Sequence, residues 1–184
     1  MNSFYSQVDL NMLGFKSVGT NVLVSKNVQF YDIAKISIGN HVRIDDFCIL
    51  SGSITIGSHV HISAYCALYG KFGIELEDYT GLSPRCTVFS ASDDFSGDFL
   101  ISPMVNVEYT NLNKGKVLIS RYSQIGANCI IFPNLTVSEG VAVGAFSLVN
   151  ASLDEWSIYA GIPAKRLKSR TKGLLKFVNE KNMK

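Results

Sequence analysis

Aliphatic residues recur at every sixth position through most of this chain. Neither the 3.6-residue period of a helix nor the two-residue period of a strand selects every sixth residue. A short strand and a turn, repeated, does select it, so the sequence predicts a solenoid of stacked coils. The two long tracks are Ile38, Ile44, Leu50, Ile56, Ile62, Leu68 and Ile74, and Ile119, Ile125, Ile131, Val137, Val143 and Val149. Shorter tracks are Val18, Val24 and Phe30, and Leu76, Leu82 and Val88.

Three repeats make a triangular coil of 18 residues, and neighbouring coils should stack about 4.8 Å apart, the spacing of paired strands. This register predicts that Ile38, Ile56 and Ile74 form one interior ladder. The fourth residue after each key aliphatic should also face inward. These residues are Val42, Cys48, Ile54, Val60, Cys66, Phe72, Cys86, Cys129, Leu135, Val141 and Ser147. All four cysteines belong to this set and none forms a CxxC pair, so we expect buried thiols, with three of them (Cys48, Cys66 and Cys86) in one column.

Composition limits the domain count and the partners. With 184 residues, 47% of them hydrophobic, the chain suits a single domain over 1–184. The 17 basic and 15 acidic residues give a net charge of +2, which argues against nucleic acid as a partner. No run of about 20 apolar residues occurs, and no basic segment leads into an apolar stretch near residue 1. We therefore expect no membrane association and a cytoplasmic location.

Two segments depart from the six-residue period. Residues 89–116 form a long insertion, which is usually functional in a compact domain. After Val149 a basic tail follows, in which Leu167, Leu174, Leu175 and Val178 have the spacing of an amphipathic helix. The sequence therefore predicts coils over 18–150, an inserted loop over 89–116 and a short C-terminal α-helix over 165–180.

The period, together with the pieces "IGNHVRI", "IGSHVHI", "IGANCII" and "VGAFSLV", resembles the bacterial hexapeptide-repeat acyltransferases over about residues 18–168. The resemblance implies an all-β, left-handed parallel β-helix; the hand comes from the resemblance alone, because periodicity does not show it. It also implies a homotrimer.

The segment "YAGIPAK" is similar to the part of that family that closes the coenzyme A site. The resemblance implies acetyl-CoA, or another acyl-CoA, as co-substrate, with Lys165 and Arg166 as charge partners of its phosphates. Small residues on the later coils either line a groove for the pantetheine arm or serve turn geometry. The cofactor-binding candidates are Gly126, Ala127, Gly144, Ala145, Ala160, Gly161, Pro163, Lys165 and Arg166.

The inserted loop carries the candidates for the acceptor end. Many O-acylating members of the family have a loop histidine as general base, and this loop has none. An amine needs orientation more than a strong base, because it has a free lone pair once deprotonated. A carboxylate could hold it, and we favour Asp94 over Asp93 as the catalytic contact. Turn formation is the structural alternative for both.

The segments "SASDDFSG", "RIDDFCILSG" and "AYCALYG" are similar to sugar N-acyltransferases that act on nucleotide-linked 4-amino-4,6-dideoxyglucose. This resemblance implies acyl transfer to a nucleotide-linked amino sugar for surface polysaccharide such as O-antigen. The implied substrate-binding residues are Ser83, Arg85, Ser90, Asp93 and Asp94.

The histidines leave other functions open. His41 and His59 are 18 residues apart and should be neighbours on adjacent coils, as turn residues or as part of a zinc site with His61. The latter would suit a hydratase similar to the gamma-class carbonic anhydrases, although our own expectation is that no metal is bound. Alternatively, His61 is the base of a sugar or polysaccharide O-acetyltransferase. A solenoid that only binds or scaffolds is the remaining possibility.

Overall fold

The computed structural model describes residues 3–179, and these form a parallel β-solenoid with three faces. Face 1 consists of β1 (Ser17–Val18), β4 (Ile36–Ile38), the second half of β6 (Ile49–Ile56), the second half of β8 (Ala67–Leu76), β13 (Val117–Ile119) and β16 (Leu135–Val137). Face 2 consists of β2 (Leu23–Val24), β5 (Arg43–Ile44), β7 (His61–Ile62), β9 (Gly81–Leu82), β14 (Gln124–Ile125), β17 (Ala142–Val143) and β19 (Ser157–Ala160). Face 3 consists of β3 (Gln29–Tyr31), the first halves of β6 and β8, β10 (Thr87–Phe89), β15 (Ile130–Ile131) and β18 (Leu148–Val149). The predicted fold class is confirmed.

The core is one continuous column of aliphatic side chains inside the three faces. The four cysteines are buried and unpaired, as expected. The strand register places Cys48, Cys66 and Cys86 in one column, and pairing of Thr87 with Ile130 adds Cys129 to it. Sulfur contacts with Cys48 and Cys86, together with burial, raise the pKa of the Cys66 thiol. The Cys66 thiol therefore stays protonated. All four cysteine side chains pack inside the core as small groups.

The predicted ladder of Ile38, Ile56 and Ile74 is wrong at its last member. Ile56 pairs with Leu76, whereas Ile74 lies beside Ile54. Gly52 of β6 pairs with Gly70 of β8, and Ile54 pairs with Ile74. The interval from glycine to isoleucine is therefore two residues longer in β8, and this shifts the six-residue period by two.

The same two-residue shift turns Phe72 outward, against the prediction that it faces the core. Phe72 is 37% exposed, and the ammonium groups of Lys71 and Lys114 lie 5.6 and 5.5 Å from the centre of its ring. The other residues predicted to face inward with it are buried.

Residues with left-handed backbone mark the corner between faces 1 and 2. His41, His59, Tyr79, Tyr122 and Trp156 all have φ between 48° and 63°. Such a conformation costs about 1 kcal/mol or more in a non-glycine residue. Here neighbouring rings stack: the His41 and His59 centroids are 4.8 Å apart and those of His59 and Tyr79 are 4.7 Å apart. The stacking offsets part of the backbone cost, and it confirms that His41 and His59 are neighbouring turn residues.

Both ends of the solenoid carry additional elements. Helix α1 (Gln7–Met12) was not predicted, although Ser6 and Asp9 form a capping box that is visible in the sequence. It buries Leu10 against the first coil. At the other end the coils continue beyond the predicted residue 150 to β19.

The predicted helix over 165–180 is wrong over its first part. Residues Lys165–Ser169 form strand β20, which pairs antiparallel with β19. The reason is that β19 is the edge of face 2, and its free backbone groups take a partner there. The helix itself, α2, covers only Leu175–Asn179, and residue 180 lies outside the described residues.

The inserted segment leaves the corner between faces 3 and 1. It is held at its base by an antiparallel hairpin of β11 (Ala91–Asp93) and β12 (Leu112–Lys114), and we call residues 91–114 the arm. Within the described chain, no helix is long and apolar enough to cross a membrane.

Candidate active site

Small residues from successive coils lie above one another along the corner between faces 2 and 3, and we call this line of residues the groove. The Gly126 amide donates to the carbonyl of Val143, and the Gly144 amide donates to that of Tyr159, so Gly126, Gly144 and Ala160 stack in one column. Ala127 and Ala145 follow them along the chain. A Cβ on Gly126 would lie 2.5 Å from the Ala145 nitrogen, so the close approach of these coils requires glycine there. The predicted groove residues are therefore brought together.

The "YAGIPAK" segment closes the C-terminal end of this groove. Gly161, with φ of 107°, donates its amide to the Ser147 hydroxyl at 3.0 Å and accepts a hydrogen bond from the Leu148 amide. The Ala164 amide donates to the Leu148 carbonyl at 2.8 Å. Pro163, which follows a cis peptide bond, is exposed beside the groove.

The two basic candidates of the tail differ in their contacts. Lys165 is exposed and forms no ion pair with another residue between 3 and 179. Arg166 instead donates from Nε to the Ser157 hydroxyl at 3.0 Å and from Nη2 to the Ser169 hydroxyl at 2.9 Å. Lys165 is thus available to a phosphate, whereas Arg166 also fastens β20 to the last coil.

Ser83 and Arg85 continue the same corner toward the N-terminus. The Ser83 amide donates to the carbonyl of Ile125, which places Ser83 one coil below Gly126. Arg85 is exposed, and its guanidinium lies 5.4 Å from the centre of the Tyr65 ring on the preceding coil. These two substrate-binding candidates therefore lie on the line of the cofactor-binding candidates.

The arm borders an open cavity of about 590 Å³ against the corner between faces 3 and 1. Asp93 is its one carboxylate, and most of the other lining side chains are apolar. The lining includes Lys71, Phe89, Asp93, Val105, Leu112 and Phe132. The sequence did not single out Lys71, Phe89 or Phe132, because their contact with the arm depends on how the insertion folds back.

The two loop carboxylates have different surroundings. Asp94 accepts hydrogen bonds from the Ser96 amide and the Asn111 side chain, each at 2.7 Å. Contacts with Ser96, and then with Asn111, lower the pKa of Asp94. Asp93 is exposed at the cavity, and its carboxylate makes no hydrogen bond with another described residue. The geometry therefore favours Asp93 over Asp94, the reverse of the order expected from the sequence.

Ser90 does not fit the substrate-binding role that the resemblance implied. Its side chain is fully buried. The hydroxyl donates to the Tyr69 carbonyl at 2.8 Å and accepts from the Phe72 amide at 2.9 Å. Ser90 is therefore used to hold the base of the arm and has no surface to offer a ligand.

His61 lies on face 2 and forms a cluster that the sequence analysis missed. Its Nε2 is 2.8 Å from Asp45 Oδ2, and Arg43 Nε donates to Asp45 Oδ1 at 2.7 Å. Burial raises the pKa of Asp45, but the hydrogen bonds from Arg43 and His61 outweigh that effect and leave it below its ordinary value. The 18-residue spacing of Arg43 and His61 was the available signal. Residues 3–179 contain no group of three or more His, Cys, Asp or Glu side chains placed to hold a metal ion.

Comparison with known proteins first supports the fold. A hexapeptide-repeat acetyltransferase from Vibrio cholerae superposes with a TM-score of 0.64 at 17% identity, over 93% of this chain and 85% of that one, and it has the same fold. No family model matches the sequence.

More similar proteins give the family. A dTDP-4-amino-4,6-dideoxy-D-glucose acyltransferase from Escherichia coli is 39% identical over 178 residues, 95% of this chain and 93% of the relative. AntD, an N-acyltransferase from Bacillus cereus solved with dTDP and 3-hydroxybutyryl-CoA, is 53% identical with a TM-score of 0.96, over 98% of this chain and 96% of AntD. The chain belongs to the family of dTDP-4-amino-4,6-dideoxyglucose acyltransferases, which confirms the resemblance found in the sequence.

Proposed function

We propose that this protein transfers an acyl group, acetyl or a close homologue, from coenzyme A to the amino group of dTDP-linked 4-amino-4,6-dideoxyglucose. The observation that carries the proposal is the groove, which leads from the exposed Lys165 past Gly144 and Gly126 to Ser83. An extended pantetheine arm fits along such a line of small residues. A serine-to-cysteine variant of AntD has also been solved with coenzyme A and dTDP-4-amino-4,6-dideoxyglucose together.

A spacing shared with AntD supports Ser83 and Asp93 as the residues at the reacting end. Solved AntD structures include variants of one serine and of one aspartate ten positions further along. In the present sequence, Ser83 and Asp93 form the only serine–aspartate pair with that spacing, whereas Asp94 would pair with Pro84. The spacing and the free carboxylate of Asp93 thus favour the same assignment.

The reaction then needs no covalent enzyme intermediate. The amine nitrogen attacks the thioester carbonyl, the new N–C bond forms, and the C–S bond breaks as the tetrahedral intermediate collapses. Asp93 orients the amine through a hydrogen bond and accepts its proton, while the thiolate of coenzyme A leaves and is protonated. Ser83 supplies a hydroxyl beside the reacting carbonyl.

A second copy of the chain completes the site. The groove lies at the corner between faces 2 and 3, the arm leaves the corner between faces 3 and 1, and no groove residue lines the arm cavity. The arm also exposes large apolar side chains: Phe95 by 90%, Met104 by 90% and Val107 by 80%. We propose a homotrimer in which the arm of one chain covers the groove of the next.

The cellular setting follows from the co-substrates. Acyl-CoA and nucleotide sugars are both cytoplasmic metabolites, so we propose that the enzyme acts in the cytoplasm. The acylated sugar would then enter surface polysaccharide, O-antigen included.

The test of this function is an assay of the purified protein with acetyl-CoA and dTDP-4-amino-4,6-dideoxyglucose, in which release of the free thiol is followed. We expect turnover with acetyl-CoA. The second donor for the assay is 3-hydroxybutyryl-CoA. The matched control is the same nucleotide sugar with a hydroxyl at C4. Thiol release with the hydroxyl compound at a rate comparable with the amine would overturn the proposal, as would no release with the amine.

A further inference from the structure

Arg43, Asp45 and His61 form a small polar cluster that the proposed reaction does not use. Asp45 is the centre of the cluster: its side chain is only 17% exposed and accepts from Arg43 on one oxygen, with His61 against the other. The side chains of Arg43 and His61 are 54% and 52% exposed. A partly buried carboxylate therefore fixes two exposed nitrogen-bearing side chains on the surface.

The cluster leaves donors available for a ligand. Arg43 uses Nε on Asp45, and its terminal nitrogens make no hydrogen bond with another residue of the described chain. His61 uses Nε2, so its other ring nitrogen points away from Asp45. A guanidinium whose Nε is anchored keeps a fork of N–H groups that matches the oxygens of a phosphate.

Asp45 lies on the continuation of the groove, with Arg43 and His61 beside it on face 2. The backbone hydrogen bonds of Asp45, Ser63 and Ser83 run to Ile62, Leu82 and Ile125, so these three residues occupy the same position on successive coils. With coils about 4.8 Å apart, Asp45 lies about 10 Å beyond Ser83. That direction is opposite to Lys165, so a ligand at Arg43 would be reached from the acceptor side of Ser83.

Arg85 adds a second cation at the corner that adjoins face 2, where Arg43 lies. Its guanidinium leans from its own coil onto Tyr65 of the preceding coil, toward the cluster. It forms no ion pair with another residue between 3 and 179. The Arg43 guanidinium lies 5.4 Å from the centre of the Phe4 ring, and that of Arg85 lies over Tyr65. Together the two groups carry the charge that a diphosphate requires.

We propose that Arg43, oriented by Asp45 and His61, binds the diphosphate of the acceptor nucleotide sugar, with Arg85 as its second contact. The inference rests on the proposed function, and it assigns Arg43 and Arg85 as the binding site for the diphosphate end of the acceptor. His61 is then a positioning residue. Its ring is turned toward the coil of Asp45 and away from that of Ser83, which is the wrong direction for a base at the reacting amine.

The test is Arg43→Gln, which removes the charge and the fork from an exposed position. We expect the KM for the nucleotide amino sugar and the inhibition constant of dTDP each to rise about tenfold, with kcat and the KM for acetyl-CoA within about twofold of the wild type. Arg43→Lys keeps the charge without the fork and should give an intermediate value. Added salt should raise the acceptor KM of the wild type more than that of Arg43→Gln, because salt screens the phosphate contact.

Arg121→Gln is the matched control, because Arg121 is 55% exposed and also faces carboxylates but lies at the corner between faces 1 and 2. It should change none of these constants, and thermal unfolding should show that all variants fold. A rise in the acetyl-CoA KM alone would assign the cluster to the donor and overturn the inference. A fall in kcat at unchanged acceptor KM would overturn it too. Neither result touches the proposed function, which fails only if the wild type does not acylate the amine.

Discussion

At the scale of single residues, adjacent aspartates in the arm differ in what their carboxylates already hold. Asp94 is bound by Ser96 and Asn111, and these contacts shape the turn that follows β11. Asp93 presents its carboxylate to the cavity. A carboxylate that already accepts hydrogen bonds within its own turn is less available to a ligand. We therefore expect Asp93 and Asp94 to have different roles.

We predict that Asp93→Ala lowers kcat by about a hundredfold, because it removes both the orientation of the amine and the proton acceptor. Asp93→Asn keeps the hydrogen-bond acceptor and should cost less than Asp93→Ala if orientation dominates. Asp94→Ala should cost less than about tenfold, through loosening of the arm. Steady-state rates with saturating acetyl-CoA measure all three. A larger loss in Asp94→Ala than in Asp93→Ala would restore the order expected from the sequence.

At the scale of elements, the six-residue period predicted most of the coil and failed where the chain departs from it. The inward positions and the cysteine column follow from spacing alone, because each coil repeats the same burial. Phe72 and Ile74 were misplaced because the two-residue offset of the track that begins at Leu76 shows in the sequence, whereas the strand pairing is needed to locate the two extra residues before Ile74. The arm cavity depends on contacts between distant segments, which no local pattern encodes.

The tail shows a similar competition between local pattern and tertiary context. Its leucine spacing predicted a helix over 165–180, but the open edge of β19 recruits Lys165–Ser169 as a strand. Backbone pairing at a sheet edge thus outweighed the helical pattern of a short segment. Successive residues of a strand point to opposite sides, so Lys165 and Arg166 of β20 have different surroundings. Lys165 is exposed, whereas Arg166 contacts Ser157 and Ser169.

Lys165 and Arg166 should therefore respond differently to substitution by alanine. Lys165→Ala should raise the KM for acetyl-CoA several-fold at unchanged Tm, because an exposed cation is lost from the donor end of the groove. Arg166→Ala removes hydrogen bonds to Ser157 and Ser169, each worth about 1 kcal/mol, and should lower the Tm by a few degrees. Donor titrations and thermal melts of both variants measure this. An equal KM for acetyl-CoA in Lys165→Ala and the wild type would show that the tail has only a structural role.

At the scale of the whole molecule, the groove and the arm are separated by the width of face 3. The groove begins before β10 and the arm begins after it, so a single chain presents the two halves of the proposed site at different corners. In the proposed trimer the corners of neighbouring chains meet, so that each groove is completed by an arm. We expect light scattering to give a mass of about 61 kDa, three times the 20.2 kDa of the chain.

Subunit mixing tests whether the halves come from different chains. Ala145→Trp should block the exposed groove of its own chain, and Asp93→Ala should inactivate its own arm, so each variant alone should be nearly inactive. When the two are co-expressed in equal amounts, a shared site has a one-half chance of an intact groove and a one-half chance of an intact neighbouring arm. Activity should then recover to about one quarter of the wild type. If both halves instead belonged to one chain, no mixed trimer would contain an intact site, and the co-expressed sample would remain as inactive as its parents.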